Sequence, residues 1–251
     1  MYVESDQNTF PVLYSYRRCP YAMRARLALY FSGIQVEQRE IVFWDKPDEM
    51  LAASAKGTVP VLLLPDGEVL EESWDIMCWA LKDKQGKSPL YPQDAQQRQL
   101  LDQLIAENDA DFKQHLDDYK YPELCQKHYP ELSAEEGHFK ARAQGEVTLQ
   151  KLERRLSQSA YLLGAALSVA DLAIFPFVRQ FAHVDKIWWQ RADYPNLKAW
   201  LDKQLSSGYF AAVMKNRPVW EAGHLPLWVD EPELKRKDQL RAKAEGKRIP
   251  R

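Results

Sequence analysis

The chain has 251 residues, 45% of them hydrophobic and 28% charged, with a formal net charge of −2. That profile fits a soluble globular protein with a real core, built as one large domain or two ordinary ones, and no apolar run nears the roughly 20 residues of a membrane helix. Three cysteines in so long a chain argue for a reducing compartment rather than a disulfide framework. Met1–Asp6 lacks the basic start and apolar core of a secretory signal, so a cytoplasmic location is expected. The charge is uneven: 235–251 holds eight Lys/Arg and two acids, or +6, which leaves −8 for the remainder. With no groove-reading motif beside it, this tail reads as a solvated end. Neither nucleic acid nor a membrane is expected as a partner.

In chain order, Val12–Tyr14 reads as a strand and Pro20–Phe31 as an amphipathic helix stopped at Gly33. Val36–Val42 alternates like a strand, and Pro47–Ala53 is a short helix or turn. Val61–Leu64 is a continuous apolar strand, turned at Pro65–Gly67 into a hairpin with Glu68–Leu70. Ser73–Lys84 is helical, with Ser73 as its N-cap. This β-α-β-α-β-β-α order implies a small mixed sheet with helices packed on it. Gln85–Pro92 is a linker by its Gly and Pro content. Strand signals then vanish. Asp94–Tyr119 has helical apolar spacing, and Ala134–Leu156 repeats it through Phe139, Val147, Leu149, Leu152 and Leu156. Ser168–Asp171 is a capping-box variant ahead of a buried helix from Leu172 to Val178, and Asn196–Leu205 is a further helix. The boundaries expected are 1–86 for an α/β domain, 94–215 for an all-α domain and 216–251 for a C-terminal extension. Trp220 and Trp228 sit among prolines in an extended strap, where packing is favoured over ligand contact.

Cys19, in Tyr16-Arg-Arg-Cys-Pro-Tyr-Ala-Met-Arg24, lies where the first strand hands over to the first helix. Unpaired N–H groups and the positive end of a helix dipole favour thiolate over thiol there, and Arg17, Arg18 and Arg24 add positive charge. Cys78 reads as core, and Cys125 has no comparable setting. Three residues beyond Cys19 stands Ala22, so redox chemistry takes its resolving thiol from elsewhere; no pattern suits a metal. In Lys56-Gly-Thr-Val-Pro-Val61 a proline precedes a buried strand. A cis bond there would turn the Val59 backbone groups outward, free to pair with an extended peptide. Glu71-Glu-Ser73 opens a helix, a setting suited to a carboxylate and an ammonium.

The order and spacing of Cys19-Pro-Tyr-Ala22, Thr58-Val-Pro60, Glu72-Ser73 and Ser168-x-x-Asp171 resemble the glutathione transferase superfamily, over about Val12 to Phe210. The nearest classes are the cysteine-type ones: omega-like transferases, dehydroascorbate reductases and the two-domain bacterial glutaredoxin. The resemblance implies an α/β thioredoxin-like domain followed by an all-α helical bundle. It implies Cys19 as the nucleophile that forms a mixed disulfide with glutathione, the co-substrate, with no metal. It implies Val59 pairing with the cysteinyl unit beside a cis Pro60. It implies Glu72 on the γ-glutamyl ammonium, Ser73 on its carboxylate and Lys56 on the glycyl carboxylate. Tyr21, Phe112, Tyr119 and Trp188 are candidates for the acceptor pocket, and a homodimer is expected of the family. Glutathione-dependent thiol transfer, by deglutathionylation or dehydroascorbate-type reduction, is the favoured function. A non-catalytic regulatory or binding protein and a conjugating transferase stay open as alternatives.

Overall fold

Two apolar runs, β1 (Val12–Ser15) and β3 (Val61–Leu63), form the middle of a four-stranded sheet in the computed structural model, which describes residues 9–83 and 88–231. The other strands are β2 (Glu37–Glu40) and β4 (Val69–Leu70), and the order across the sheet is β2-β1-β3-β4. β1 pairs in parallel with β2, Val12 opposite Glu37, and antiparallel with β3, Val12 opposite Leu63. The parallel pair needs a crossover, supplied by α1 (Pro20–Ser32). Gly33 ends α1 in the left-handed region at φ 66°, where a side chain would be strained.

A short α2 (Asp48–Ala53) and α3 (Ser73–Cys78) complete this unit, and α3 widens into a π-helical turn at Trp79–Asp83. Glu72, not Ser73, is the N-cap of α3; Ser73 is the first helical residue. Nor is α1 the amphipathic helix its sequence suggested. Arg24 and Arg26 are both fully buried along with Met23, Leu27 and Leu29, so the helix is enclosed on more than one face.

The second unit, Pro89–Ser207, is helical among its described elements. It holds α4 (Ala95–Glu107), a π-helical turn at Asn108–Phe112, α5 (Lys113–Lys120), α6 (Pro122–His128), α7 (Ala134–Leu156), α8 (Val169–Ala182), α9 (Lys186–Arg191) and α10 (Pro195–Leu205). Asp94 caps α4 by accepting from the N–H groups of Gln96 and Gln97. The core side of α7 departs from the expected pattern. Phe139 and Val147 are about half exposed, at 47% and 50%, while Gly137, Ala141, Gly145, Leu149 and Leu152 face inward. Small residues there allow close helix contact: the ring of Phe181 lies where a side chain on Gly145 would stand. Asp171 fastens the start of α8, accepting from Ser168 N–H, Ser168 Oγ, Leu162 N–H and Trp200 Nε1 at 2.6–2.9 Å.

The chain then returns to the first unit. The expected helical domain ran to residue 215, but among the described residues Gly208–Glu231 groups with the sheet. Here α11 (Gly208–Val213) packs on α1. The strap that follows adds backbone pairing to β2, which otherwise ends the sheet. Trp220 N–H donates to Glu40 O at 2.8 Å, Gln38 N–H to Leu227 O at 2.6 Å, and Val229 N–H to Val36 O at 3.1 Å. Trp220 packs against the Arg39 guanidinium, 4.3 Å from its ring centre, and Trp228 meets Phe10 edge-on at 5.1 Å. Packing accounts for both tryptophans. The strap covers a sheet edge that would otherwise be open. The basic stretch 235–251 and the linker's 85–87 lie outside the described residues. Among the described residues no helix is long and apolar enough to cross a membrane.

Candidate functional site

Cys19 is the N-cap of α1, with extended φ and ψ of −71° and 125°, and Pro20 takes the first helical position. Proline suits that position because its missing N–H is one the helix start leaves unpaired. The Cys19 backbone is fixed from both sides: its N–H donates to Tyr16 O at 3.1 Å and its C=O accepts from Met23 N–H at 2.9 Å. Its side chain is half-buried, and its thiol donates to Val59 O at 3.7 Å. Behind it lies the cluster of Val12, Tyr14, Ala22, Ile41, Met50, Val59 and Val61. The sulfur therefore sits on an apolar wall at the positive end of a 13-residue helix. The other thiols differ: Cys78 is half-buried rather than core, and Cys125 is buried, with burial pushing its pKa up.

The Val59–Pro60 peptide is cis. Both residues are buried, and the Val59 carbonyl faces the Cys19 sulfur. The arrangement puts a backbone acceptor beside the Cys19 thiol.

Lys56 and Glu72 meet in an exposed ion pair, Nζ to Oε1 at 2.7 Å, which raises the Lys56 pKa. Ser54 Oγ donates to neighbouring Glu71 at 2.5 Å. Ser73 is buried, and its hydroxyl accepts from Arg24 NH1 at 3.4 Å. A fully buried guanidinium thus stands beneath the residue expected to meet a carboxylate, and it also lies 5.6 Å from the Tyr21 ring centre. Of the three arginines expected to charge the site, Arg24 points to Ser73, and Arg18 donates to Tyr16 Oη, through Nε at 2.9 Å. Arg17 contributes its backbone N–H, donated to Glu40 Oε1 at 2.6 Å. The arginine lodged against the Cys19 loop is Arg26, which sequence reading passed over. Its spacing of seven from Cys19, two helical turns, was the available signal.

The four residues named for an acceptor pocket divide. Tyr21 is half-buried in the first unit beside Arg24. Trp188 is half-buried in the second unit, 5.9 Å from Phe181. Phe112 and Tyr119 are not pocket walls. At 0% and 1% exposure they pack against Phe181, centroids 5.5 and 4.8 Å away, because their helical spacing turns them into the core of the second unit.

Comparison with known proteins bears on what this geometry serves. Residues 13–89 match the family model for the glutathione S-transferase N-terminal domain, and residues 126–203 the model for its C-terminal domain. The chain is 25% identical over 213 residues to elongation factor 1-gamma 2 of Oryza sativa subsp. japonica, covering 78% of this chain and 50% of the relative. It is 25% identical over 212 residues to glutathione S-transferase omega-1 of Rattus norvegicus, covering 82% of this chain and 77% of the relative. The chain spans about half the length of the elongation factors it matches. A solved glutathione transferase family member from Pseudomonas fluorescens, with two glutathione bound, shares the fold. Its TM-score is 0.69 at 19% identity, over 83% of this chain and 93% of that one.

Proposed function

The chain belongs to the glutathione transferase superfamily, and on that footing we propose that it performs glutathione-dependent thiol transfer by monothiol exchange through Cys19. The observation that carries this is the placement of one half-buried thiol at the cap of α1, 3.7 Å from the carbonyl preceding cis Pro60. The Cys19 thiolate attacks the glutathionyl sulfur of a mixed disulfide. The Cys19–S–SG bond forms, the old S–S bond breaks, and the acceptor leaves as its thiolate. A second glutathione thiolate then attacks the glutathionyl sulfur of the adduct, releasing glutathione disulfide and restoring Cys19. Ala22 in place of a second cysteine fits this one-thiol cycle. Exchange is fastest when the attacking thiol's pKa is near ambient pH, and the helix N-terminus favours the thiolate.

Glutathione binding falls to the residues of the first unit around Cys19. The Val59 carbonyl pairs with the cysteinyl N–H. Glu72 takes the γ-glutamyl ammonium once it exchanges Lys56 as its partner, and Lys56 is released to the glycyl carboxylate. Ser73, backed by Arg24, takes the γ-glutamyl carboxylate. Solved family members with bound glutathione support this ligand. The test is a pair of assays on Cys19→Ala: glutathione binding by calorimetry and disulfide exchange by turnover. Binding retained with exchange abolished is the expected result; full exchange in the variant refutes the mechanism.

A second reading rests on the elongation factor 1-gamma relatives, which support a binding or regulatory protein of this fold. A Cys19 thiol titrating near the unperturbed value of about 8.5, together with no glutathione binding, would favour it.

A further inference from the structure

Arg26 is fully buried on α1, seven residues after Cys19 and on the same helix face. Its five N–H groups have five acceptors. Nε donates to Val213 O at 3.0 Å. NH1 donates to Ser15 Oγ at 2.5 Å and Tyr16 O at 3.4 Å, and NH2 to Arg17 O at 2.8 Å and Met214 Sδ at 3.7 Å. Two of these, Tyr16 O and Arg17 O, belong to the loop that presents Cys19, and Tyr16 O also takes the Cys19 N–H. The guanidinium therefore fixes the backbone of the nucleophile's loop directly.

The acidic group facing it is Glu40, at the end of β2 and 7% exposed; burial pushes its pKa up, while Arg26 and the bonds from Arg17 N–H and Gln38 pull it down. It accepts Arg17 N–H at 2.6 Å and Gln38 Nε2 at 3.4 Å. Arg17 thus offers its carbonyl to Arg26 and its N–H to Glu40, and the Cys19 loop is held between the two charges. The return segment closes the assembly. Val213 and Met214 accept from Arg26, Trp220 N–H binds Glu40 O, and buried Arg217 donates to Trp228 O at 2.9 Å. A charge enclosed this way acts through a low-dielectric medium with little screening.

We propose that Arg26, balanced by Glu40 and roofed by the C-terminal strap, is a positioning residue that holds the Cys19 loop and keeps its sulfur as thiolate. The proposal rests on Cys19 being the nucleophile of the proposed exchange, and it names what sets that sulfur's reactivity. Burial lowers the Arg26 pKa to about 10, so the group stays cationic at neutral pH. The charged groups that act on it are Glu40 from β2, Cys19 and Arg17 from the loop, and Arg217 from the strap.

The experiment is the rate of iodoacetamide alkylation at Cys19 against pH, read peptide by peptide by mass spectrometry on the full-length chain. Arg26→Met shifts the midpoint upward by about one pH unit or more, the effect of losing a nearby opposite charge, and Arg26→Lys restores part of it. Loss of five hydrogen bonds endangers the fold, so Glu40→Gln is the second arm. Gln keeps an acceptor for Arg17 N–H, removes the negative charge and shifts the midpoint downward. Opposite shifts in the two arms support electrostatic positioning. A Glu40→Gln variant with native circular dichroism and no downward shift overturns it, as does an Arg26 variant that loses thermal stability with its midpoint unmoved. The readout contains no glutathione. A failure of thiol transfer with these shifts intact therefore counts against the proposed activity alone, and the converse counts against the role of Arg26 alone.

Discussion

Replacing Asp171 with Ala removes the acceptor for four donors at the start of α8: the N–H groups of Leu162 and Ser168, Ser168 Oγ and Trp200 Nε1. Asp171 and Leu162 are at 0% exposure, Trp200 at 3% and Ser168 at 7%, so water is excluded from the site. The Ser168 hydroxyl can rotate to a new partner; the other three cannot. Each buried donor left unpaired costs about 1–3 kcal/mol. Relief from burying a carboxylate, which raises the Asp171 pKa, offsets part of that sum. The expected net loss is about 3–5 kcal/mol, the lower part of the sum for three unpaired donors once that relief is subtracted. Asp171→Asn keeps one carbonyl oxygen and loses less, and Ser168→Ala loses about 1 kcal/mol, the cost of a capping hydroxyl. Urea unfolding followed by tryptophan fluorescence measures all three. The sign with pH is fixed as well. Because the native pKa is raised, the carboxyl's contribution is fully present below the unfolded value and falls as pH rises through the native one. The advantage of the wild type over Asp171→Asn therefore grows on acidification from neutral pH. A loss below about 1 kcal/mol for Asp171→Ala would refute the reasoning that these donors depend on one acceptor.

Arg24→Met removes the donor behind the Ser73 hydroxyl. Calorimetry should show glutathione binding weakened about tenfold, the low end of a charge-assisted hydrogen bond worth about 1.5–3 kcal/mol. Gly145→Ala places a methyl group within 2.9 Å of Phe181 Cζ and closer still to Cε2, on a ring held by Phe112 and Tyr119. Overpacking of this kind costs about 1–3 kcal/mol; an unchanged urea midpoint would show that the ring moves aside. Glu136 accepts from the Ser133 hydroxyl and N–H, which lower its pKa. Its contribution is present above the unfolded carboxylate pKa and lost as pH falls through the native one. Thermal scans should therefore separate wild type from Glu136→Gln at neutral pH and merge them in acid.

The strand-to-helix junction at Cys19 was legible because local rules decide it: an apolar strand, a proline suited to the first helical turn and a glycine stop. The same holds for Ser168 and Asp171, whose spacing is itself the capping box. Arg26 was hidden because a charge inside a helix reads as solvent-facing. What buries it is the return of Val213 and Met214, nearly 190 residues later. Such pairing leaves no trace in periodicity. The strap was recognised as extended but not as an addition to β2, since Pro-rich sequence carries no register. Phe112 and Tyr119 misled in the other direction. Their spacing marked a helix face, and only the position of Phe181 shows that this face points inward. The π-helical turns at Trp79–Asp83 and Asn108–Phe112 had no sequence signal that propensity could read.

Incubation of the full-length chain with glutathione disulfide, followed by peptide mass spectrometry, tests the role of Cys19 most directly. One glutathionyl adduct on the peptide containing Cys19, released by added glutathione while Cys78 and Cys125 stay unmodified, is the predicted result. An unmodified Cys19, or an adduct confined to Cys78, would contradict it.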